Sequence, residues 1–216
     1  MSFIMFILAS MLEYTSFFIF VMVLFRFTIR EHIAKFILGS LILAFVSNTI
    51  QTESLQDISP LINVVILFFL LTIILRTRLF HSFVMLVIGY VAQALVQWLL
   101  VSILIHYKVF NQINSYTRNG YIVQMMTFLI MCLISAFIYA TKGGFSYIQS
   151  NNRFYKDSLK GNRLFIIFLI LGLLVLFFAN ILYMTSSNFP DYLYSISIAT
   201  IIILIILIYF SIRKDV

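Results

Sequence analysis

Residues Leu164–Met184 read LFIIFLILGLLVLFFANILYM, an apolar run without a charged side chain. A helix needs about 20 apolar residues to cross a bilayer, and this run has that length. Six further apolar segments follow the same pattern: Phe3–Phe25, Ile33–Ile50, Pro60–Leu75, Ser82–His106, Gly120–Ala140 and Tyr192–Ile212. The sequence therefore predicts an all-α fold, a polytopic transmembrane bundle of about seven spans that forms one domain over residues 1–216.

The overall composition agrees with this fold class. Of the 216 residues, 63% are hydrophobic and 10% are charged, whereas an average soluble domain is about 45–50% apolar and about 25% charged. Seven spans consume roughly 140–150 residues, and loops use the rest. A soluble globule is excluded, and no room remains for a water-soluble catalytic domain.

Two of the segments leave alternatives open. Pro60–Leu75 is short, and Arg76 would lengthen it by snorkelling. Glu13 interrupts the first segment, so a six-span version with the first dozen residues at the interface is an alternative. The N-terminus has neither a basic region nor a small-residue cleavage site, and no removable signal peptide is expected.

Basic residues are distributed unequally between the two sets of connections. Twelve of the 14 Lys and Arg flank the first, third and fifth connections or the C-terminus, and only Lys108 and Arg118 fall on the other side. Cytoplasmic loops carry the excess of Lys and Arg, so the N-terminus is predicted outside and the C-terminus in the cytoplasm. The formal net charge of +7 thus reports orientation, and no nucleic-acid partner is expected.

Both prolines stand at predicted outer helix starts. Ser59-Pro60 and Pro190-Asp191 place the ring in a first helical turn, where the missing N–H costs nothing. Because no predicted span has an internal proline, we expect continuous helices rather than the broken helices of many transporters.

Glu13 is the ionisable side chain that is predicted deepest in the membrane. A carboxyl group there is costly and faces the bundle interior or a wet cavity. Ala9, Ser10 and Ser16 lie three or four positions away and give this face a small, mildly polar character. Glu13 is therefore a ligand or proton contact, a carboxyl that holds two helices together, or an interfacial residue if the first segment does not span.

Gly89, Gln93 and Gln97 recur every four residues and form one stripe on the fourth span. The structural interpretation of this stripe is hydrogen bonding between helices. The candidate partners on other spans are Ser47, Asn48, Asn63, Gln124 and Asn180. The functional interpretation is a polar pocket that opens outward, lined by Gln93 and Gln97 near Trp98. Its amide donors and acceptors would recognise peptide or amide groups.

Enzymatic chemistry has little support in the sequence. Cys132 is the single cysteine and has no histidine close to it along the chain, while His32, His81 and His106 fall at span ends without metal-ligand spacing. We therefore expect no enzyme, no metal and no cofactor.

The longest inner connection, Thr141–Arg163, mixes aromatic and basic side chains. Phe145, Tyr147, Phe154 and Tyr155 alternate there with five basic residues, and the structural interpretation is contact of this loop with anionic lipid headgroups, to which the basic residues are attracted. The alternative is a docking surface for a cytoplasmic partner.

The layout resembles the membrane input module of peptide-sensing histidine kinases of the accessory-gene-regulator type. The stretches that carry the resemblance are RTRLF at Arg76–Phe80, the following segment with its glutamine stripe, GGFSYI at 143–148 and the terminal Ser211–Lys214. The phosphoacceptor helix and ATP-binding boxes of a kinase are missing. The resemblance implies a sensor-like bundle without its output domain, or one cut at that boundary.

The resemblance and the residues together predict a receptor-like module for an extracellular peptide or small molecule, acting through cytoplasmic or membrane protein partners. Its ligand-binding pocket is predicted in the outer half of the bundle, between the first, second and fourth spans, with Glu13, Asn48, Gln93 and Gln97 as polar contacts. The alternative function is a substrate-binding or membrane subunit of a small transporter.

Overall fold

The computed structural model describes residues 2–52, 59–109, 117–150, 163–185 and 189–215. Within these ranges the chain is all-helical, as predicted. The helices are α1 (Ser2–Leu24), α2 (Ile29–Thr52), α3 (Ser59–Leu75), α4 (Leu79–His106), α5 (Arg118–Ala140), α6 (Tyr147–Ser150), α7 (Arg163–Thr185) and α8 (Phe189–Asp215). Apart from the single turn α6, they correspond one by one to the predicted segments, with ends within four residues of the predicted ones.

Five of the helices, α1, α2, α4, α5 and α8, are long and apolar enough to cross a membrane. The described parts of α3 and α7 hold shorter apolar stretches, Leu61–Leu75 and Arg163–Ala179. α1 continues unbroken through Glu13, so the first segment is one full-length helix. This set of helices fits a multi-pass membrane protein.

α1 lies in the core of the bundle and packs mainly against α2 and α5. Phe17 and Phe18 are fully buried on it, as is Phe25 just after its end, and the Phe18 ring stacks on Phe36 of α2 at 4.4 Å between centroids. Many large apolar side chains on the other helices are exposed, among them Leu133 and Phe137. An apolar outer surface of this kind is typical of a bundle that faces lipid.

Gly89 allows α4 to approach α1 closely. A Cβ added at Gly89 would lie 2.5 Å from Cγ2 of Val21 and 2.8 Å from Cε2 of Phe17. This contact holds the middle of α4 against the second half of α1, and one helical turn later α4 carries Gln93.

The segment after α5 folds back onto the end of α1. Gly144 has a φ of +96°, and Phe145 N donates to Leu24 O at 2.7 Å. The Arg26 guanidinium donates to the carbonyls of Lys142 at 2.8 Å and Gly143 at 3.2 Å. Together these bonds fix the end of α1 to the end of α5.

The end of α8 meets the same end of the bundle. The Lys214 ammonium lies 4.6 Å from the ring centroid of Phe165, 5.0 Å from that of Phe80 and 5.6 Å from that of Tyr147. We call the group Arg26, Lys142 and Lys214 the basic end of the bundle. It is the end that the charge distribution assigns to the cytoplasm.

Phe145 and Tyr147 do not take part in the headgroup contact that was predicted for the inner connection. Both side chains are buried in the core, where they pack against Phe25. The bond from Phe145 N to Leu24 O turns the chain inward, so these rings are covered by protein. Phe154 and Tyr155 lie outside the described residues.

Candidate polar site within the bundle

Most buried hydroxyl groups with a hydrogen bond in the bundle bond to their own helix. Thr127, Ser135 and Thr200 each donate to the carbonyl four residues earlier, as does the half-buried Thr72. This local bond satisfies a hydroxyl in an apolar environment without a partner on another helix. The side chains that need an interhelical explanation are therefore the carboxyl and the amides.

Glu13 lies at the middle of α1 and is hydrogen-bonded to α4. Its Oε1 accepts a hydrogen bond from Nε2 of Gln93 on α4 at 3.3 Å. Gln124 on α5 also lies within hydrogen-bonding reach of the Glu13 side chain. The Glu13 side chain is half-buried, and its carboxyl is turned toward α4.

A second polar contact joins α2 and α3 beside this carboxyl. Nδ2 of Asn63 donates to Oγ of Ser47 at 3.3 Å, and Tyr14 of α1 lies within hydrogen-bonding reach of the same serine. Oδ1 of Asn63 is buried and has no hydrogen-bond partner among the described residues, and the same is true of Oε1 of Gln124. The site therefore has buried acceptor atoms that lack a donor.

These side chains surround a cavity of about 120 Å³, which we call the polar cavity. α1, α3 and α4 line it, with the residues Glu13, Tyr14, Asn63, Leu67, Tyr90, Gln93, Ala94, Gln97 and Trp98. Asn63 follows the first residue of α3 by four positions, or about 6 Å along the helix axis. The cavity thus extends from the middle of α1 toward the end of the bundle opposite the basic end.

Three of the four predicted contacts come together at the polar cavity. Glu13, Gln93 and Gln97 line it, and so does Trp98, which the sequence placed near the pocket. Asn48 is buried on α2 but is not part of the lining. The third lining helix is α3 instead of the predicted α2, and α2 contributes Ser47, which accepts the hydrogen bond from Asn63 behind the lining.

Of the partners proposed for the glutamine stripe, Gln124 and Asn63 are present at the site. The side chain of Asn180 lies outside the described residues. The sequence analysis missed Tyr14 and Tyr90. A signal was available for Tyr90, because it precedes Gln93 by three positions and Gln97 by seven, the spacing of one helix face.

The polar cavity offers both hydrogen-bond acceptors and donors. Among the described residues its lining contains one carboxyl and three side-chain amides, and it contains no Lys, Arg or His. Within the described ranges no cluster of three His, Cys, Asp or Glu side chains is arranged to hold a metal. The carboxyl suits the binding of a donor group, such as an ammonium, an amide N–H or a hydroxyl, and the amides offer both donors and acceptors.

Comparisons with protein-family models, with curated proteins and with solved structures find no match to this chain.

Proposed function

We propose that this chain is a receptor-like module of the cell membrane, which binds an extracellular peptide or small molecule in the polar cavity and acts through protein partners. The observation that supports this most directly is the Glu13 carboxyl, held by Gln93 inside a cavity that is lined by further amides. Buried ionisable groups in membrane helices are costly, and a functional contact explains why one is kept. The resemblance to peptide-sensing input modules leads to the same proposal.

The predicted orientation gives this cavity an extracellular approach. The basic end would face the cytoplasm under the positive-inside rule, and the polar cavity extends toward the opposite end. A ligand from outside would then reach Gln97 and Trp98 without crossing the apolar core around Phe17 and Gly89.

α4 offers a route from the ligand to a cytoplasmic partner. Gln93 of α4 bonds to Glu13 in the cavity, while Phe80 in the first turn of the same helix packs under Lys214 of α8. Small shifts of one helix along another are an established form of signal transmission. A ligand that moves α4 relative to α1 would therefore change the surface of the basic end.

Cysteine accessibility tests this function and separates it from transport. In a Cys132→Ala background, Ala94→Cys places a thiol in the cavity lining, and Ala136→Cys on the exposed face of α5 is the matched control. A membrane-impermeant cationic methanethiosulfonate should modify the cavity thiol from outside only and leave the control unmodified.

Modification of Ala94→Cys from both faces would favour the transporter subunit, because alternating access opens a site to each side in turn. Modification from the cytoplasmic face alone would overturn the extracellular receptor. Co-purification adds a second readout: a kinase or response protein supports signalling, and an ATPase subunit supports transport.

A further inference from the structure

We infer that the ligand of the polar cavity is an alkylammonium amphiphile, whose apolar chain lies in a lateral groove of the bundle and whose ammonium group is bound at Glu13. This inference rests on the proposed binding role of the cavity and adds the chemical class of the ligand. It follows from a second cavity that borders the first.

The second cavity, which we call the lateral groove, has a volume of about 660 Å³ and is lined by apolar and aromatic residues of α3, α4 and α7. Val65 and Phe69 on α3 face Leu174 and Phe177 on α7 across it, and all four side chains are exposed. α4 forms the floor. Among the described residues α3 packs on α2 and α4, and α7 packs on α4 and α8, so the groove opens laterally between α3 and α7.

Tyr90 connects the two cavities. Its side chain lines both the lateral groove and the polar cavity, and it is the one residue that the two linings share. On α3, Val64 and Phe68 line the lateral groove, and Asn63 and Leu67 line the polar cavity. Two neighbouring faces of this helix therefore line the two spaces. An apolar space and a space that holds a carboxyl thus meet at a single aromatic side chain among the described residues.

The chemistry of the head group follows from the polar cavity. Glu13 supplies a carboxyl, Oδ1 of Asn63 lacks a donor, and among the described residues the lining has no basic side chain that would serve as a counter-ion. An ammonium group has three donors, so it can bond to both of these groups, and its positive charge would favour the ionised form of the carboxyl. A fatty acid or a phosphate would bring a negative charge to a carboxyl without a compensating cation.

The groove explains how such a molecule would enter. Asn63 lies about 6 Å from the start of α3 along the helix axis, so a head group needs to move only a short way from the interface. The chain would remain in an apolar environment throughout, because the groove opens to the side. A fully water-soluble ligand would have no use for the groove.

Trp98 reports on binding, because it is the only tryptophan of the chain and lines the polar cavity. The protein in lipid nanodiscs is titrated with dodecylamine, with butylamine, which lacks the long chain, and with dodecanoate, which has the opposite head-group charge. We expect a saturable change in Trp98 fluorescence with dodecylamine, and apparent affinities about tenfold or more weaker for the other two. Equal responses to dodecylamine and dodecanoate would overturn the ammonium assignment.

Two variants test the two halves of the site. Glu13→Gln should weaken dodecylamine binding about tenfold or more, since it removes the counter-charge and keeps the shape. Leu174→Phe fills the groove and should weaken dodecylamine binding about fivefold. Leu133→Phe on the exposed face of α5 should leave this binding unchanged. If Glu13→Gln does not fold, the comparison of the three probes on the unmodified protein decides alone.

The outcomes separate this inference from the proposed function. Butylamine could bind as tightly as dodecylamine, with an affinity that falls in Glu13→Gln and is unchanged in Leu174→Phe. In that case the polar cavity is a binding site, but its ligand is not an amphiphile. If no probe gives a response that depends on Glu13, the amphiphile is overturned, and the proposed role of the cavity loses its main support.

Discussion

The amide of Gln93 donates a hydrogen bond to the carboxyl of Glu13 at 3.3 Å and joins α4 to α1 across 80 positions of the chain. The bond lies in the middle of both helices and has two roles. It holds the helices together, and it places a polar group at a cavity. The sequence alone could not separate these roles. Stability alone therefore does not distinguish a site from a structural contact at Gln93.

A double-mutant cycle measures the structural part of this bond. Gln93→Leu should lower the free energy of unfolding by about 1 kcal/mol, a typical value for a side-chain hydrogen bond between membrane helices. In a Glu13→Leu background the same change should cost much less, because the acceptor is gone. Reversible unfolding in mixed micelles gives both values. Gln97→Leu is the control, because this residue lines the cavity without the bond to Glu13, and equal coupling at both positions would contradict the pairing.

The close approach of α1 and α4 predicts opposite outcomes for two helical glycines. Gly89→Ala should destabilise the protein by about 1–3 kcal/mol, since the added methyl would overlap Val21 and Phe17. Gly39→Ala should be neutral or stabilising, because its Cβ would meet Leu70 at an ordinary 3.4 Å and alanine favours a helix. Thermal unfolding in detergent compares the two variants, and a Gly39→Ala variant that melts as early as Gly89→Ala would refute the packing argument.

The turn after α5 provides a second pair of matched glycines. Gly144 has a φ of +96°, and a Cβ there would lie 2.6 Å from the backbone oxygen of Leu24. Gly144→Ala should therefore cost about 1–3 kcal/mol and expose Phe145 and Tyr147. The neighbouring Gly143→Ala meets nothing closer than 3.4 Å and should cost little. Limited proteolysis of the segment and thermal unfolding both report the difference, and equal behaviour of the two variants would show that the turn does not anchor these rings.

The helices were predictable because their signal is local. Apolar length marks each of the seven long helices, and the prolines at positions 60 and 190 fall in first turns, as α3 and α8 begin at Ser59 and Phe189. The glutamine stripe and Glu13 were predictable as site residues for the same reason, since each is polar where its own helix is apolar.

The pairing of helices was not predictable to the same degree, because it depends on packing between distant segments. Asn48 was assigned to the pocket on the assumption that α2 lines it, whereas α3 supplies Asn63 to the lining. Likewise, the burial of Phe145 depends on one backbone hydrogen bond to Leu24, and no local sequence pattern predicts that bond.

The orientation predicts one-sided labelling of two exposed lysine positions at opposite ends of the bundle. In a Cys132→Ala background, Lys108→Cys after α4 should react with an impermeant maleimide added to intact cells, and Lys142→Cys after α5 should react only after permeabilisation. The reason is the positive-inside bias, which places the ends of odd and even spans on opposite sides. Reaction of Lys142→Cys in intact cells would reverse the orientation and with it the extracellular approach to the cavity.

Lys214 predicts a charge effect that involves the aromatic rings around its ammonium group. Lys214→Met keeps the length of the side chain but removes the cation over Phe80 and Phe165, and it should lower stability by about 1 kcal/mol. Lys214→Arg keeps the charge and should retain most of this stability. The adjacent Arg213 is exposed, so Arg213→Met controls for the loss of one basic residue at the end of α8 and should leave the melting temperature unchanged. Equal losses for the two methionine variants would assign the effect to net charge and remove the ring contacts as its cause.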